Sequence, residues 1–196
     1  MNPVILKSRL LPIVLIGLSL SLLSACSSDD ERLRVCPRVG VLYDASRLTL
    51  FGLSGAELDE NVAYNAEIQN ASIRCKHDGD EVTSEVEFDL EIVAGPMATS
   101  GKQTFRYFVA VTELNRRVLD KKYYTYDADF DDDDNRLRVT RKADKIRFSF
   151  ARLGRPDLYE ILVGWDLTAA QLDYNRSHSA FDRPRMRQVK RPQIAE

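Results

Sequence analysis

Histidine is nearly absent from this sequence, with two residues in 196, and cysteine is scarce, with three. No Cys-x-x-Cys pair and no His-Glu-x-x-His segment occurs, so the common patterns of zinc sites and thiol redox sites are missing. A nucleophile elbow and a glycine-rich phosphate loop are missing as well. The sequence therefore predicts no cofactor, no metal site and no catalytic residue, and we expect that the protein is not an enzyme.

Excess charge of either sign is also lacking. The chain has 28 basic and 30 acidic side chains, and this balance argues against a general nucleic-acid binder. With 44% hydrophobic and 30% charged residues, the composition is that of a globular domain. The long apolar run, Leu10 to Leu23, has 14 residues, whereas a helix that spans a bilayer needs roughly 20.

The amino terminus has the three parts of an export signal. Lys7 and Arg9 make the start basic, the apolar run follows, and Leu23-Ser24-Ala25-Cys26 ends it with small residues before a cysteine. This ending resembles the lipobox of bacterial prolipoproteins. The resemblance implies that Cys26 receives a lipid and that a peptidase cuts on its amino side. An ordinary secretory signal that happens to end near a cysteine is the alternative.

The export signal divides the chain into segments and suggests where the protein is located. We expect a lipoprotein signal peptide over residues 1–25, a lipidated polar tether over 26–34, a β-sandwich domain over 35–180, and a flexible basic tail over 181–196. Ser27 rather than Asp follows the lipidated position. In enteric bacteria Asp at this position retains a lipoprotein in the inner membrane, so outer-membrane placement facing the periplasm is favoured. The membrane, contacted through the lipid, is the first expected partner.

Two cysteines remain once Cys26 carries a lipid, namely Cys36 and Cys75. An even pair in an oxidising compartment predicts a disulfide bond. A redox or metal-binding pair is the alternative, but the spacing does not favour it.

Period-two alternation of apolar and polar residues dominates the rest of the chain and predicts strands. The clearest case runs from Val82 to Ile92, and Phe105 to Val111 is apolar on both faces over most of its length, which favours a central position in a sheet. A change of parity within Val62 to Cys75 predicts a bulge near Asn70. Further strands are expected at Val35–Tyr43, Arg47–Phe51, Arg117–Ala128, Arg136–Arg141, Ile146–Phe150 and Tyr159–Trp165.

Turn-forming residues separate these segments, which points to an antiparallel sandwich of immunoglobulin-like or fibronectin-like kind with about seven or eight strands. One short helix is expected near the end, because Thr168 and Gln171 have the spacing of a capping box. That helix should end before Ser179.

Three segments resemble those of small alphaproteobacterial membrane lipoproteins that have no assigned activity. They are Cys36-Pro-Arg-Val-Gly-Val-Leu, Tyr107-Phe-Val-Ala-Val-Thr and Leu167-Thr-Ala-Ala-Gln-Leu-Asp-Tyr-Asn-Arg. The resemblance spans most of the chain after the signal, and Cys26 is the functional residue that it implies.

The acidic run from Asp127 to Asn135 holds six carboxylates in eight residues. It is not an EF-hand, because Asp132 and Arg138 stand where that loop needs Gly and Glu. A solvated hairpin tip is the favoured interpretation, and a simpler divalent-cation site or a docking point for a basic partner are alternatives.

An aromatic and basic cluster, Lys121 to Tyr126, contains three tyrosines. Such a cluster suits binding of sugar or peptide, although on an alternating strand its members are more often divided between core and surface. The five basic residues of the tail, between Arg183 and Arg191, suit anionic lipid headgroups or an acidic partner, but a solvated terminus is favoured. Without an active site, we expect a lipid-anchored adaptor or assembly factor that binds an unidentified envelope protein. A module that binds envelope polysaccharide is the alternative.

Overall fold

A computed structural model describes residues 35–52, 57–130 and 135–178. These residues form eight strands, three short 3₁₀ turns and one α-helix. The elements are β1 (Arg38–Val41), β2 (Arg47–Phe51), β3 (Val62–Asp78), β4 (Glu81–Ala94), β5 (Gly101–Glu113), β6 (Arg117–Phe130), β7 (Arg136–Ser149), β8 (Tyr159–Trp165) and α1 (Ala169–Ser177).

The strands form two four-stranded sheets. The first sheet has the order β1-β8-β5-β6 and the second has the order β2-β3-β4-β7. Every neighbouring pair is antiparallel except β1 and β8, which run parallel. The prediction of an all-β sandwich with a short helix near the carboxyl end is confirmed.

The core lies between the sheets and is built from alternating residues of β4 and β5. The inner side chains of β4 are essentially inaccessible to solvent: Val82, Ser84, Val86, Phe88, Leu90 and Ile92. The ring of Phe88 meets the ring of Tyr107 edge-on, with centroids 5.4 Å apart. Burial of each large apolar side chain contributes about 1.5–3 kcal/mol, so this seam is the main source of stability.

β5 is central in the first sheet, as its composition predicts, because it lies between β8 and β6. Its outer face is covered as well. Phe108 and Ala110 pack with Ala45 on that face, and Leu167 contacts the same cluster.

The predicted bulge at Asn70 is confirmed. The register jumps from Gln69 opposite Asp89 to Ser72 opposite Glu87, so two residues of β3 face one residue of β4. Asn70 has a φ of 55°, and asparagine tolerates this left-handed conformation better than most residues.

Arg136–Arg141 and Ile146–Phe150 were expected to be separate strands, and the structure joins them in one strand, β7. A second register shift explains the difference. The pairing with β4 shifts between Ser84 and Val86, and Lys145 has a φ of 56°. An irregularity inside one strand moves the apolar residues from one alternating set of positions to the other. In the sequence, this change resembles the boundary between two strands.

The helix α1 begins as predicted. Thr168 Oγ1 accepts a hydrogen bond from the Gln171 backbone N–H at 3.3 Å, and Gln171 Oε1 accepts one from the Thr168 N–H at 2.9 Å. The helix ends at Ser177 and packs its Tyr174 ring against Phe51, with centroids 5.3 Å apart.

Candidate functional site

The cysteine pair lies where the amino-terminal segment joins the sandwich. Cys36 and Cys75 stand at disulfide-bonding distance, with their Cα atoms 5.7 Å apart, which agrees with the predicted bridge. Cys36 precedes β1 of the first sheet and Cys75 belongs to β3 of the second. The pair therefore connects the two sheets at the point where the predicted tether ends.

Cys26, the tether and the basic tail lie outside the described residues. Their predicted roles therefore stay predictions. Among the residues that the structure describes, no helix is long and apolar enough to cross a membrane.

The tyrosine cluster on β6 is divided between the two faces of the strand. Tyr124 and Tyr126 are half-buried and pack against the core, whereas Tyr123 is 48% exposed on the opposite face. Tyr124 stacks on the buried Tyr107, with centroids 5.4 Å apart and ring planes 14° from parallel. Burial, followed by the neighbouring Tyr107 and the carboxylates of Asp144 and Asp120, raises the pKa of the Tyr124 hydroxyl.

Two cations flank the exposed Tyr123 ring. The Arg106 guanidinium lies 4.8 Å from the ring centroid and the Lys121 ammonium lies 5.0 Å from it. Lys121 also lies 3.9 Å from the centroid of Phe108. Cation–π contacts hold the charged groups over the rings and align the long side chains along the sheet.

A cleft of about 530 Å³ lies between the edges of the two sheets, where β6 and β7 face each other. Its lining combines aromatic and basic groups from three strands: Arg106, Tyr107, Tyr123, Tyr124, Thr125, Arg141 and Lys142. Carboxylates are absent from this set. The sequence pattern contained the β6 part of the cleft, but it did not reveal that Arg106 and Arg141 join it.

Arg141, a basic residue of β7, has its side chain on the inner face of the second sheet. It pairs with Phe88, which belongs to the inner face of β4, and its guanidinium lies 5.5 Å from the Tyr126 ring centroid. Its Nε is buried and has no hydrogen-bond partner in the structure. The neighbouring Lys142 is paired with Glu87 at 2.9 Å on the other face.

Both strands beside the cleft are sheet edges within the described ranges. β6 pairs with β5 and β7 pairs with β4, and each has 14 residues. Charged residues protect most of β6, as is usual for edge strands. The segment from Tyr123 to Tyr126 is uncharged, rich in strand-favouring residues, and lies at the cleft.

The described part of the acidic run does not gather into a site. Asp127 Oδ1 accepts a hydrogen bond from Thr104 Oγ1 at 2.6 Å, and residues 131–134 lie outside the described ranges. No group of three or more potential metal ligands occurs in the ranges that the structure describes. The cation-site alternative for the whole run therefore stays untested.

The two histidines contact other side chains and stay apart from the cleft. His77 Nε2 lies 3.5 Å from Cys75 Sγ. His178 stacks on Tyr174, and its Nδ1 lies 3.0 Å from Ser177 Oγ. That hydroxyl donates to the carbonyls of Asp173 and Tyr174, as at a helix end whose carbonyls are capped by a side chain.

A buried carboxylate, Glu113, escaped the sequence analysis. It is 2% exposed and is bound by Arg152, whose Nε donates to Oε1 at 2.8 Å. The hydrogen bond from Arg152 lowers the pKa of Glu113, and the Tyr159 hydroxyl bonds to it as well. A carboxylate held in this way is a poor proton acceptor, so the arrangement suits a structural ion pair rather than acid–base catalysis.

Comparison of the chain with protein-family models, with curated proteins and with solved structures gives no match.

Proposed function

We propose that the chain is a lipid-anchored envelope protein that binds another envelope protein by adding a strand of the partner to β6. The observation that carries the proposal is the open seam between the sheets, where the uncharged segment Tyr123–Tyr126 of an edge strand borders a cleft. In strand addition the backbone hydrogen bonds provide affinity and side-chain pockets select the sequence.

The cleft also favours a certain composition of the added strand. Arg106, Arg141 and Lys142 line it, and the carboxylates that pair with Arg106 and Lys142, Asp166 and Glu87, lie outside the lining. Arg141 brings its positive charge to the cleft lining, where a carboxylate of a partner compensates it. We therefore expect an extended segment that carries acidic residues.

The proposed anchor follows from the resemblance of Leu23-Ser24-Ala25-Cys26 to a lipobox. Two or three acyl chains on Cys26 give stable attachment, since one chain alone gives marginal binding. A polar tether of eight residues reaches at most about 28 Å, so the sandwich stays near the membrane. We propose the periplasmic face of the outer membrane as its place and no catalytic activity.

Site-specific crosslinking in the native envelope tests the proposal. A photoreactive amino acid at Thr125 should yield one specific protein adduct, whereas the same group at Ser72, exposed on β3, should not. Arg141→Glu should weaken the adduct strongly because it places a negative charge in the cleft. Arg147→Glu, a charge reversal at an exposed position of the same strand, serves as the matched control and should leave the adduct intact.

Binding of an acidic envelope polysaccharide is the second candidate function. It is favoured by the exposed Tyr123 and the half-buried Tyr124 at the cleft, because aromatic rings stack on sugar faces and cations bind uronic acids. Absence of a protein adduct at Thr125, together with retention of the chain on purified polysaccharide that Arg141→Glu abolishes, would favour this candidate over strand addition.

A further inference from the structure

The tip of the β5–β6 hairpin exposes three large apolar side chains within a span of six residues. Leu114, Val118 and Leu119 are 49%, 59% and 36% exposed. The turn is well defined, since the Arg116 N–H donates to the Glu113 carbonyl at 3.0 Å and the Leu114 N–H donates to the Leu158 carbonyl at 2.9 Å. Leu114 has a φ of 51°, a conformation in which glycine or asparagine is usual.

Basic residues surround these apolar side chains. Arg116, Arg117, Lys121 and Lys122 are all exposed, and Asp120 is the carboxylate among them. Arg117 lies 3.8 Å from the buried Glu113 and keeps 65% of its side chain exposed. We call the segment Leu114–Lys122 the basic tip.

The basic tip lies at the same end of the sandwich as Cys36 and the start of β1. Arg38 at the start of β1 pairs with Glu160 of β8, and Glu160 pairs with Thr112 of β5. Neighbouring strands are about 4.8 Å apart, so Arg38 and Thr112 are separated by about 10 Å across the sheet. Leu114 comes two residues after Thr112, and Cys36 comes two residues before Arg38.

We propose that the basic tip docks on the surface of an anionic phospholipid bilayer. Leu114, Val118 and Leu119 enter the headgroup region, and Arg116 and Arg117 contact phosphates. Apolar burial in the interface and attraction to anionic lipid act together in such contacts. The inference rests on the proposed lipid anchor, which holds this end of the domain within reach of the bilayer.

The neighbouring β3–β4 hairpin carries the opposite charge, and this difference orients the docked domain on the bilayer. The β3–β4 tip lies at the same end of the second sheet, since Val82 packs with Tyr159, which pairs with Glu113. It carries Asp78, Asp80 and Glu81. Anionic lipid repels this acidic tip. The domain therefore contacts the bilayer through the end of its first sheet.

Depth measurements on the full lipidated chain test the proposal. An environment-sensitive fluorescent amino acid is placed at Leu114, at Asp80, or at Met97 in the loop at the opposite end. The probes are vesicles of phosphatidylcholine with and without phosphatidylglycerol, and brominated acyl chains serve as quenchers. Quenching should be strong at Leu114 in phosphatidylglycerol vesicles, weak at Asp80 and absent at Met97. Equal quenching at Leu114 and Met97 would overturn the proposal.

Charge reversal provides the matched variants. Arg116→Glu should reduce the quenching at position 114 several-fold in phosphatidylglycerol vesicles, whereas Lys102→Glu, at an exposed position near the opposite end, should leave it unchanged. Equal effects of the two variants would refute a local contact.

Mass spectrometry of the same preparation reports lipidation of Cys26 and so separates the two proposals. If the lipid is missing, the proposed anchor is wrong. The tip is then judged by cosedimentation of that preparation with the two kinds of vesicle. Preference for phosphatidylglycerol that Arg116→Glu abolishes supports docking, and equal sedimentation with both vesicles contradicts it.

Discussion

The strands β4 and β6 have the same length, 14 residues each, but they have opposite environments. β4 lies between β3 and β7, and its inner side chains are fully buried. β6 has one strand neighbour, β5, in the described structure, and its first seven residues are all exposed. Two strands of equal length therefore differ in role, because the number of strand neighbours decides which backbone and side-chain groups stay available.

The outer faces of β4 and β6 also differ in the partners of their charged side chains. On β4, Glu91 is bound by Arg136 and Arg138, and Glu87 is bound by Lys142, so neighbouring strands satisfy its carboxylates. Around Tyr123 of β6, Lys121 and Arg106 of β5 contact aromatic rings, and Arg106 also pairs with Asp166 at 3.3 Å. Stability is therefore concentrated at β4, whereas β6 is the edge at which we propose binding.

Truncation of Phe88 should have the largest effect on stability. Phe88→Ala removes a ring from the fully buried seam between the sheets, and we expect the free energy of unfolding to fall by about 3–5 kcal/mol. Urea denaturation followed by circular dichroism measures the change. Leu119→Ala on β6 is the exposed counterpart, and a comparable loss for this variant would contradict the division of roles.

Removal of the cysteine bridge should come next. The variant with Cys36→Ser and Cys75→Ser loses a crosslink across a separation of 39 residues, for which we expect a loss of about 2–4 kcal/mol. Addition of a reductant to the native chain should produce the same shift in the unfolding midpoint. Free thiols at both positions in the native envelope would show that the bridge does not form.

The ion pair of Glu113 and Arg152 should have a smaller effect that depends on pH. Because the native pKa of Glu113 is lowered from 4.5, the pair stabilises the fold above that pH, and its contribution is lost as the pH falls through the native pKa. Arg152→Ala should therefore destabilise the chain at pH 7 and little at low pH. Thermal unfolding from neutral to acid pH measures this. A loss that stays constant across the range would indicate lost packing instead.

Substitution of Tyr123 should leave stability nearly unchanged, by less than about 0.5 kcal/mol, because the side chain is 48% exposed. Tyr123→Ala should nevertheless weaken the crosslink formed from Thr125, since the ring positions Arg106 at the cleft. A large fall in the unfolding midpoint with unchanged crosslinking would reverse the assignment of roles to the two strands.

Local patterns predicted the parts of the fold that depend on near neighbours in the chain. Alternation from Val82 to Ile92 predicted a half-buried strand, and the spacing of Thr168 and Gln171 predicted the helix start. The change of parity near Asn70 predicted the bulge. The similar irregularity at Lys145 was missed, because charged residues around it hid the continuity of β7.

The amino-acid sequence by itself determined the alternation of apolar and polar residues in the strands, the cap of the helix and which two cysteines can form a bridge. These features depend on residue type and on spacings along the chain. Only the tertiary structure decided that β6 and β7 are edges, that Arg106 and Arg141 meet the tyrosines, and that the basic tip shares an end with Cys36. The physical reason is that strand order and register bring together residues far apart in sequence, and no local pattern specifies which strand stays without a neighbour.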